Sequence, residues 1–388
     1  MRFGVKFGID NLIDNAKPDE FGRIGLVTND AAYTASGVRS REALLAAKFD
    51  IRKLFSPEHG ISAKGADGAF IPNGLDLLTK LPIVSLYGDK LAPTQEDFAD
   101  IDTVFFDIAD IGLRYYTYLW TLSYVLEECA KNNTKLVVLD RPNPLSGATE
   151  GPMLDESNCS SFIGRWDVPI RHGCTLGELA KFFNSERKIN ADLRIIGCKN
   201  WQRNMFFNDW NLPFQPTSPA IASWACMLAY PITAFCEATN LSDGRGTSTP
   251  FLQIGATWLE GLGLSKLEEI SQGVDFQYCR FTPTEGKFKD EVCSGIKVNV
   301  VNPEIYKPTL TGLCLIKTIK EQFSARFEWK PYPTRANPSG NRHMDLLTGI
   351  SDSETLFELP WDSFLQKITA LTDTQNWQKV IEKYKIYA

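Results

Sequence analysis

The chain has 388 residues, more than one simple core accommodates and enough for two domains. Hydrophobic residues make up 43% and charged residues 23%, the balance of an ordinary globular protein. A net charge of -6 with no lysine- or arginine-rich run argues against a nucleic-acid partner and against a basic membrane-binding face.

In chain order, Arg23 to Asp30 is an apolar strand closing on Thr28, Asn29 and Asp30. Ser40 caps a helix through about Lys48, with Glu42 in its first turn. Ile51 to Phe55 is a second strand, and it runs directly into Ser56-Pro57-Glu58-His59-Gly60. Pro57 removes a ladder donor and Gly60 admits backbone geometries that other residues resist, so the strand stops where two proton-moving side chains begin. Pro82 to Tyr87 and Thr103 to Ile108 are further strands, separated by a short helix from Thr94 to Phe98. The run TVFFDI has almost no alternation, as expected when both faces of a strand are covered.

Tyr116 to Asn132 is a longer helix, with Leu119, Leu122, Leu126 and Cys129 near helical spacing. Lys135 to Leu139 is a fifth strand, followed by Asp140-Arg141-Pro142-Asn143-Pro144. Thr175 opens a helix with Glu178 three residues on, a capping-box arrangement, and Leu193 to Cys198 is a sixth strand. The uncharged window Leu212 to Cys236 contains Pro213, Pro216, Pro219 and Pro231 and is read as semi-buried loop, not a membrane span. Strands alternating with helices imply an α/β fold with a doubly wound, mostly parallel sheet. Beyond Gly244-Arg245-Gly246-Thr247 the apolar runs shorten (Ile296 to Val301, then a helix over Leu310 to Phe323). The expected organisation is a larger domain over 1–250 and a smaller α+β domain over 251–388.

Nine scattered cysteines, with no C-x-x-C pair, read as free thiols in a reducing compartment. The first residues have no apolar h-region and no small-residue cleavage site, so the expected location is the cytoplasm, or the periplasm had a signal peptide been removed.

No G-x-G-x-x-G follows the first strand and no G-x-x-x-x-G-K-[ST] occurs, so nucleotide binding lacks its phosphate cradle and no organic cofactor is expected. No H-E-x-x-H or G-x-S-x-G occurs, and the 3 histidines are far apart, against a histidine-rich zinc site. What remains is a set of polar residues at strand ends: Asn29, Glu58, His59, Asp107, Asp110, Asp140 and Arg141. Singly, each residue type is commonly a cap or a satisfied loop group. Together they supply the paired carboxylates that glycoside cleavage needs, one protonated to donate to the leaving oxygen and one anionic. Arg114, Tyr115 and Tyr116 add a cation and two rings that could line the same cleft.

The motifs LVTND, LFSPEHG, SLYG, FFDIADIGLRYYTY, LDRPNPLSG, EGPML, PIRHGCTLGELA, CEATNLSDGRGT and MDLLTG resemble, in order, those of a bacterial family once listed as a domain of unknown function. That family is now associated with exo-β-N-acetylmuramidases (NamZ-like). The resemblance runs from about residue 7 to the C-terminus. It implies a Rossmann-like catalytic domain with a smaller C-terminal domain, and release of N-acetylmuramic acid from the non-reducing ends of peptidoglycan fragments. It also implies that Glu58 is the catalytic carboxylate. Three departures stand out: Ala109 replaces a usual Gln, Ala220 a usual Asn, and Ala238 a usual Gly.

With the resemblance, Glu58 is expected to be general acid/base, with His59 and either Asp107 or Asp110 assisting. Asn29, Tyr116, Asp140, Glu237 and Asn240 are expected around the sugar. Arg114, Arg141, Arg171 and Arg245 are candidates for the lactyl carboxylate, because a guanidinium pairs bidentately with a planar anion. His172 either lines the cleft or holds the Arg171-Gly173 turn. The expected partner is a peptidoglycan-derived saccharide or muropeptide. Two alternatives accompany this reading: a non-catalytic muropeptide- or sugar-binding protein on the same fold, and a metal-dependent hydrolase using Asp107, Asp110 and Asp140.

Overall fold

The structure, a computed structural model, describes residues 4–388. Seven strands form one sheet: β1 (Arg23–Thr28), β2 (Asp50–Ser56), β3 (Gly74–Leu75), β4 (Pro82–Ser85), β5 (Thr103–Asp107), β6 (Lys135–Leu139) and β7 (Leu193–Ile196). Their order is β3-β4-β2-β1-β5-β6-β7, and every pairing is parallel except that of the short edge strand β3 with β4. The chain builds outward from β1 through β2 to β4, then returns to the other side of β1 for β5, β6 and β7. The direction of winding therefore switches between β1 and β5, and the carboxyl ends of all the parallel strands share one edge.

Neighbouring side chains along each central strand enter different cores. Val27, Phe55, Val104, Phe106, Leu136 and Val138 join one core, with Leu119, Leu122 and Leu126 of the helix Tyr118–Lys131 and Leu179 and Phe183 of the helix Leu176–Glu186. Leu26, Leu54, Phe105, Val137 and Leu139 join the other, under Ile9 and Leu12 of the helix Gly8–Asn15 and Leu44 of the helix Ser40–Ala46. Burial on both faces is why these strands read as continuous apolar runs. Fully burying one such side chain stabilises by about 1.5–3 kcal/mol relative to leaving it exposed, so the doubled core dominates the stability of this layer.

The helix Gly8–Asn15 has too short an apolar pattern to stand out in the sequence. It starts at a glycine because a Cβ at residue 8 would lie 2.2 Å from the Ile196 carbonyl oxygen. The prolines of the uncharged window also misled. Trp224–Thr233 is a buried α-helix capped by the Ser223 hydroxyl, not a loop. Pro231 falls in its last turn, where the missing N–H breaks little of the ladder before a 3₁₀ turn takes over at Ala234.

After this helix, β8 (Gln253–Ala256), β9 (Val274–Phe281) and β10 (Cys293–Val300) form an antiparallel sheet of order β8-β10-β9. Ile254, Ile296 and Val298 belong to the same continuous core as Val104 and Phe106, as do Leu313 and Ile316 of the helix Pro308–Gln322. The C-terminal helices return to the first sheet. Trp377 and Tyr384 pack edge-on against Phe182, and the Tyr387 hydroxyl donates to Asp140 at 2.6 Å. Among the described residues, no helix is long and apolar enough to cross a membrane.

Candidate active site

The loop after β2 turns sharply: His59 and Gly60 both have left-handed backbones, with φ of 66° and 70°. For a histidine this conformation costs of order 1–3 kcal/mol and persists only where the surroundings enforce it. Here the His59 ring Nδ1 is 2.8 Å from the Gly65 carbonyl oxygen, and the Gly65 amide bonds back to the His59 carbonyl at 3.0 Å. The turn sets Glu58 into the wall of a cavity of about 670 Å³ at the carboxyl ends of β2 and β4.

Glu58 is only 5% exposed. One carboxyl oxygen accepts from the Gly68 amide at 2.9 Å and the other from the Thr117 hydroxyl at 2.7 Å. Burial, reinforced by the nearby charge of Asp67, raises its pKa in spite of these two bonds. Asp67 behaves oppositely. Burial works to raise its pKa as well, but Arg245, His59 and a 2.5 Å hydrogen bond from the Tyr332 hydroxyl outweigh it and hold the carboxylate low. One ligand atom from each of Glu58, His59 and Asp67 lies within 4.8 Å of the others. These three are also the side chains that could hold a metal ion. Gly68, whose amide holds Glu58, is itself tied to the far wall, where the Arg335 amide bonds its carbonyl at 2.7 Å. Its φ is +64°, and a Cβ there would strike the Thr334 side chain at 2.8 Å.

Arg245 binds a second acidic group across the cavity. Its Nη2 is 2.7 Å from Glu237 and 3.5 Å from Asp67, and its Nη1 pairs with Asp243. Glu237 also meets His343 Nε2 at 3.1 Å, and the His343 ring stacks on Tyr332 with centroids 4.7 Å apart. Tyr87, Tyr115, Tyr116, Phe162 and Tyr230 supply aromatic wall. Burial, then the charges of Glu58 and Asp67, push the Tyr87 hydroxyl far above its usual pKa, so it is a neutral donor beside Glu58.

Of the candidate site residues singled out from the sequence, Glu58, His59, Tyr115, Tyr116, Glu237 and Arg245 meet at this cavity. The others do not line it. Asp107 is fully buried in a bidentate pair with Arg141, at 2.6 and 3.1 Å, and Arg141 also reaches the Tyr33 carbonyl and the Ser40 hydroxyl. Removing one partner of such a buried pair costs about 3–5 kcal/mol, so the pair holds β5 to β6 rather than facing a ligand in the cavity. Asp140 accepts from Thr175, the Gly177 amide and Tyr387, fixing the start of the helix Leu176–Glu186. Asn29 bonds Tyr118 and the Ala31 amide, and Asn240 ties the strand bridge near Glu328. Arg114 donates to the carbonyls of Pro152, Val168 and Leu347, and Arg171 to that of Leu145.

Asp67, Tyr87, Thr117, Tyr332 and His343 were not picked out from the sequence. Asp67 carried a faint signal, nine residues after Glu58 in a glycine- and alanine-rich loop, and His343 directly precedes the quoted MDLLTG.

Asp110 lines a smaller hollow of about 70 Å³ above the switch between β1 and β5, together with Ala31, Tyr33, Ala109, Arg141, Trp210 and Phe214. Burial raises its pKa to about 7, while its partner His172, 3.8 Å away and fully buried, is pushed down to about 3. A carboxyl that holds its proton more tightly folded than unfolded lends stability at low pH, and that stability fades as pH rises from about 4 towards about 7. Asp110→Asn stays neutral and keeps an acceptor for the Gly112 amide. Its melting temperature relative to wild type should therefore climb between pH 4 and pH 8, and a flat difference in calorimetry would refute this.

A carboxyl whose surroundings favour its acid form beside one whose surroundings favour the anion, in a cleft at the carboxyl edge of an α/β sheet, is the equipment of a glycoside hydrolase. Two family models match the chain, "Exo-beta-N-acetylmuramidase NamZ, N-terminal" over residues 24–225 and "Exo-beta-N-acetylmuramidase NamZ, C-terminal" over residues 228–387. The chain belongs to this family. It is 39% identical over 334 residues to the peptidoglycan beta-N-acetylmuramidase NamZ of Bacillus subtilis (strain 168), covering 84% of this chain and 80% of the relative. Crystal structures of two DUF1343 family proteins from Bacteroides fragilis NCTC 9343 share the fold. One has a TM-score of 0.86 at 27% identity and full coverage of both chains, the other 0.76 at 25% identity over 99% of each.

Proposed function

We propose that the chain is an exo-acting β-N-acetylmuramidase that releases N-acetylmuramic acid from the non-reducing end of peptidoglycan fragments. The observation that carries this reading is the Glu58–Asp67 pair, two carboxyls close together whose surroundings drive their pKa values apart. Protonated Glu58 donates to the glycosidic oxygen as the C1–O bond breaks. Ionised Asp67 meets the positive charge that develops at C1 and covers that face of the sugar; a water that gives its proton to the Glu58 carboxylate then bonds to C1 from the side the leaving group vacated, which releases N-acetylmuramic acid and restores both carboxyls. Oxygens of the two carboxyls lie within 4.8 Å, closer than the about 6.5–9.5 Å that inversion needs for an intervening water, so the reading includes retention of configuration. Glu237, Arg245 and His343 form the polar wall for the sugar, and Tyr116 and Tyr230 the apolar one.

In this reading residues 1–250 form the catalytic domain and 251–388 the smaller one, which supplies Tyr332 and His343 to the cavity. All nine cysteines are unpaired, which supports a reducing compartment, the cytoplasm. The test is to incubate the protein with a disaccharide bearing N-acetylmuramic acid at its non-reducing end and follow the anomeric protons by NMR. The expected result is free N-acetylmuramic acid appearing first as the β-anomer, unaffected by chelators. Binding of the disaccharide without cleavage would instead favour a sugar-binding protein.

A further inference from the structure

N-acetylmuramic acid differs from the other amino sugar of peptidoglycan by a lactyl ether, whose carboxylate is an anion that the site must accommodate. Four arginines were expected to compete for it, and three of them, Arg114, Arg141 and Arg171, lie off the cavity. Arg245 does line it, but three carboxylates already surround its guanidinium: Asp243, Glu237 at 2.7 Å and Asp67 at 3.5 Å. A further anion brought there would meet a cluster that is negative overall. Its remaining nitrogen, Nε, has no partner but is buried, out of reach of an anion in the cavity.

One other lysine or arginine lines the cavity among the described residues. Lys64 lies between His59 and Asp67 in sequence and is exposed. Among the described residues its ammonium makes neither an ion pair nor a hydrogen bond, in contrast to Lys53, Lys90 and Lys317, each of which has a carboxylate within 2.8 Å. The loop beneath it is fixed. The Gly65 amide bonds the His59 carbonyl at 3.0 Å, and the Lys64 amide bonds the Ser62 hydroxyl at 3.3 Å. The backbone is thus anchored to the residues that present Glu58, while the side chain is free to swing. Apart from Arg245, whose charge its three carboxylate neighbours already take up, Glu58, Asp67, Glu237 and Glu285 make the charged lining acidic, so the unpaired ammonium is the place on this wall where a carboxylate is welcome.

We infer that Lys64 binds the lactyl carboxylate and is the residue that selects N-acetylmuramic acid over N-acetylglucosamine. This rests on the proposed substrate, and the experiment separates the two. Lys64→Met keeps the stem and removes the charge, at an exposed position where folding is insensitive. Binding of free N-acetylmuramic acid and N-acetylglucosamine is measured by calorimetry, and cleavage of their chromogenic β-glycosides by initial rates. In wild type the muramic sugar should be preferred in both. In Lys64→Met its KM and Kd should rise about tenfold or more, with kcat within about twofold and the N-acetylglucosamine values unmoved. Lys64→Arg should recover most of the loss, and 0.5 M salt should weaken wild type but not Lys64→Met. Equal preference for the muramic sugar in wild type and Lys64→Met overturns the inference while leaving the substrate reading intact. If wild type neither binds nor cleaves the muramic sugar, the substrate reading falls and this inference with it.

Discussion

Glu58→Gln is expected to lose about 10²–10⁴-fold in kcat on N-acetylmuraminides while still binding the sugar and folding at least as well as wild type. The amide has nearly the shape of the acid and can keep the hydrogen bond from the Gly68 amide, and the Thr117 hydroxyl can rotate to accept from the new NH₂. What it lacks is a proton to transfer. Stability separates this from a folding defect. Because burial raises the pKa of Glu58, its contribution to stability is fullest below its ordinary pKa of 4.5 and is lost as pH rises through the folded value. Gln never ionises, so Glu58→Gln should melt no lower than wild type at pH 8, with its relative advantage shrinking towards pH 4. Activity above a tenth of wild type would reduce Glu58 to a structural loop residue.

The sheet was legible because its strands are short, apolar on both faces and punctuated. Pro57 and Gly60 end β2 as plainly as Asn29 ends β1, and the structure puts these ends on one edge. What misread was the meaning of polar strand ends. Asp107 ends β5, Arg141 follows the neighbouring β6, and the two neutralise each other, while Asp140 caps a helix, so their charges are consumed by architecture. Sequence order cannot show such pairings, because they depend on which strands become neighbours. The other half of the cavity was hidden for a related reason. Tyr332 and His343 reach Asp67 and Glu237 only because the segment after β10 folds back over the first sheet. Glu58 stood out most clearly, since a glutamate between a proline and a His-Gly pair at a strand end serves no packing purpose.

Asp67→Asn tests whether the second carboxylate acts on the sugar or only on Glu58. Two consequences follow from the structure, and they appear in different measurements. The charge of Asp67 helps to raise Glu58, so removing it must lower the pKa of Glu58. Since Glu58 works as an acid, the alkaline limb of kcat/KM should then move to lower pH. If that were all, Asp67→Asn would recover most of its activity once assayed at sufficiently acidic pH. If Asp67 also meets the charge that develops at C1, the loss persists at every pH and reaches about 10³-fold or more, because an amide neither attacks the ring nor stabilises a cation. The close approach of the two carboxyls, within 4.8 Å, favours the second outcome. Full recovery below pH 5 would leave Asp67 a tuning residue and pass the anionic role to Glu237. That group is poorly placed for it, because Glu237 is engaged by Arg245 on one oxygen and by His343 on the other, while Asp67 takes both the Tyr332 hydroxyl, at 2.5 Å, and Arg245, at 3.5 Å, on a single oxygen, with over a third of the side chain exposed.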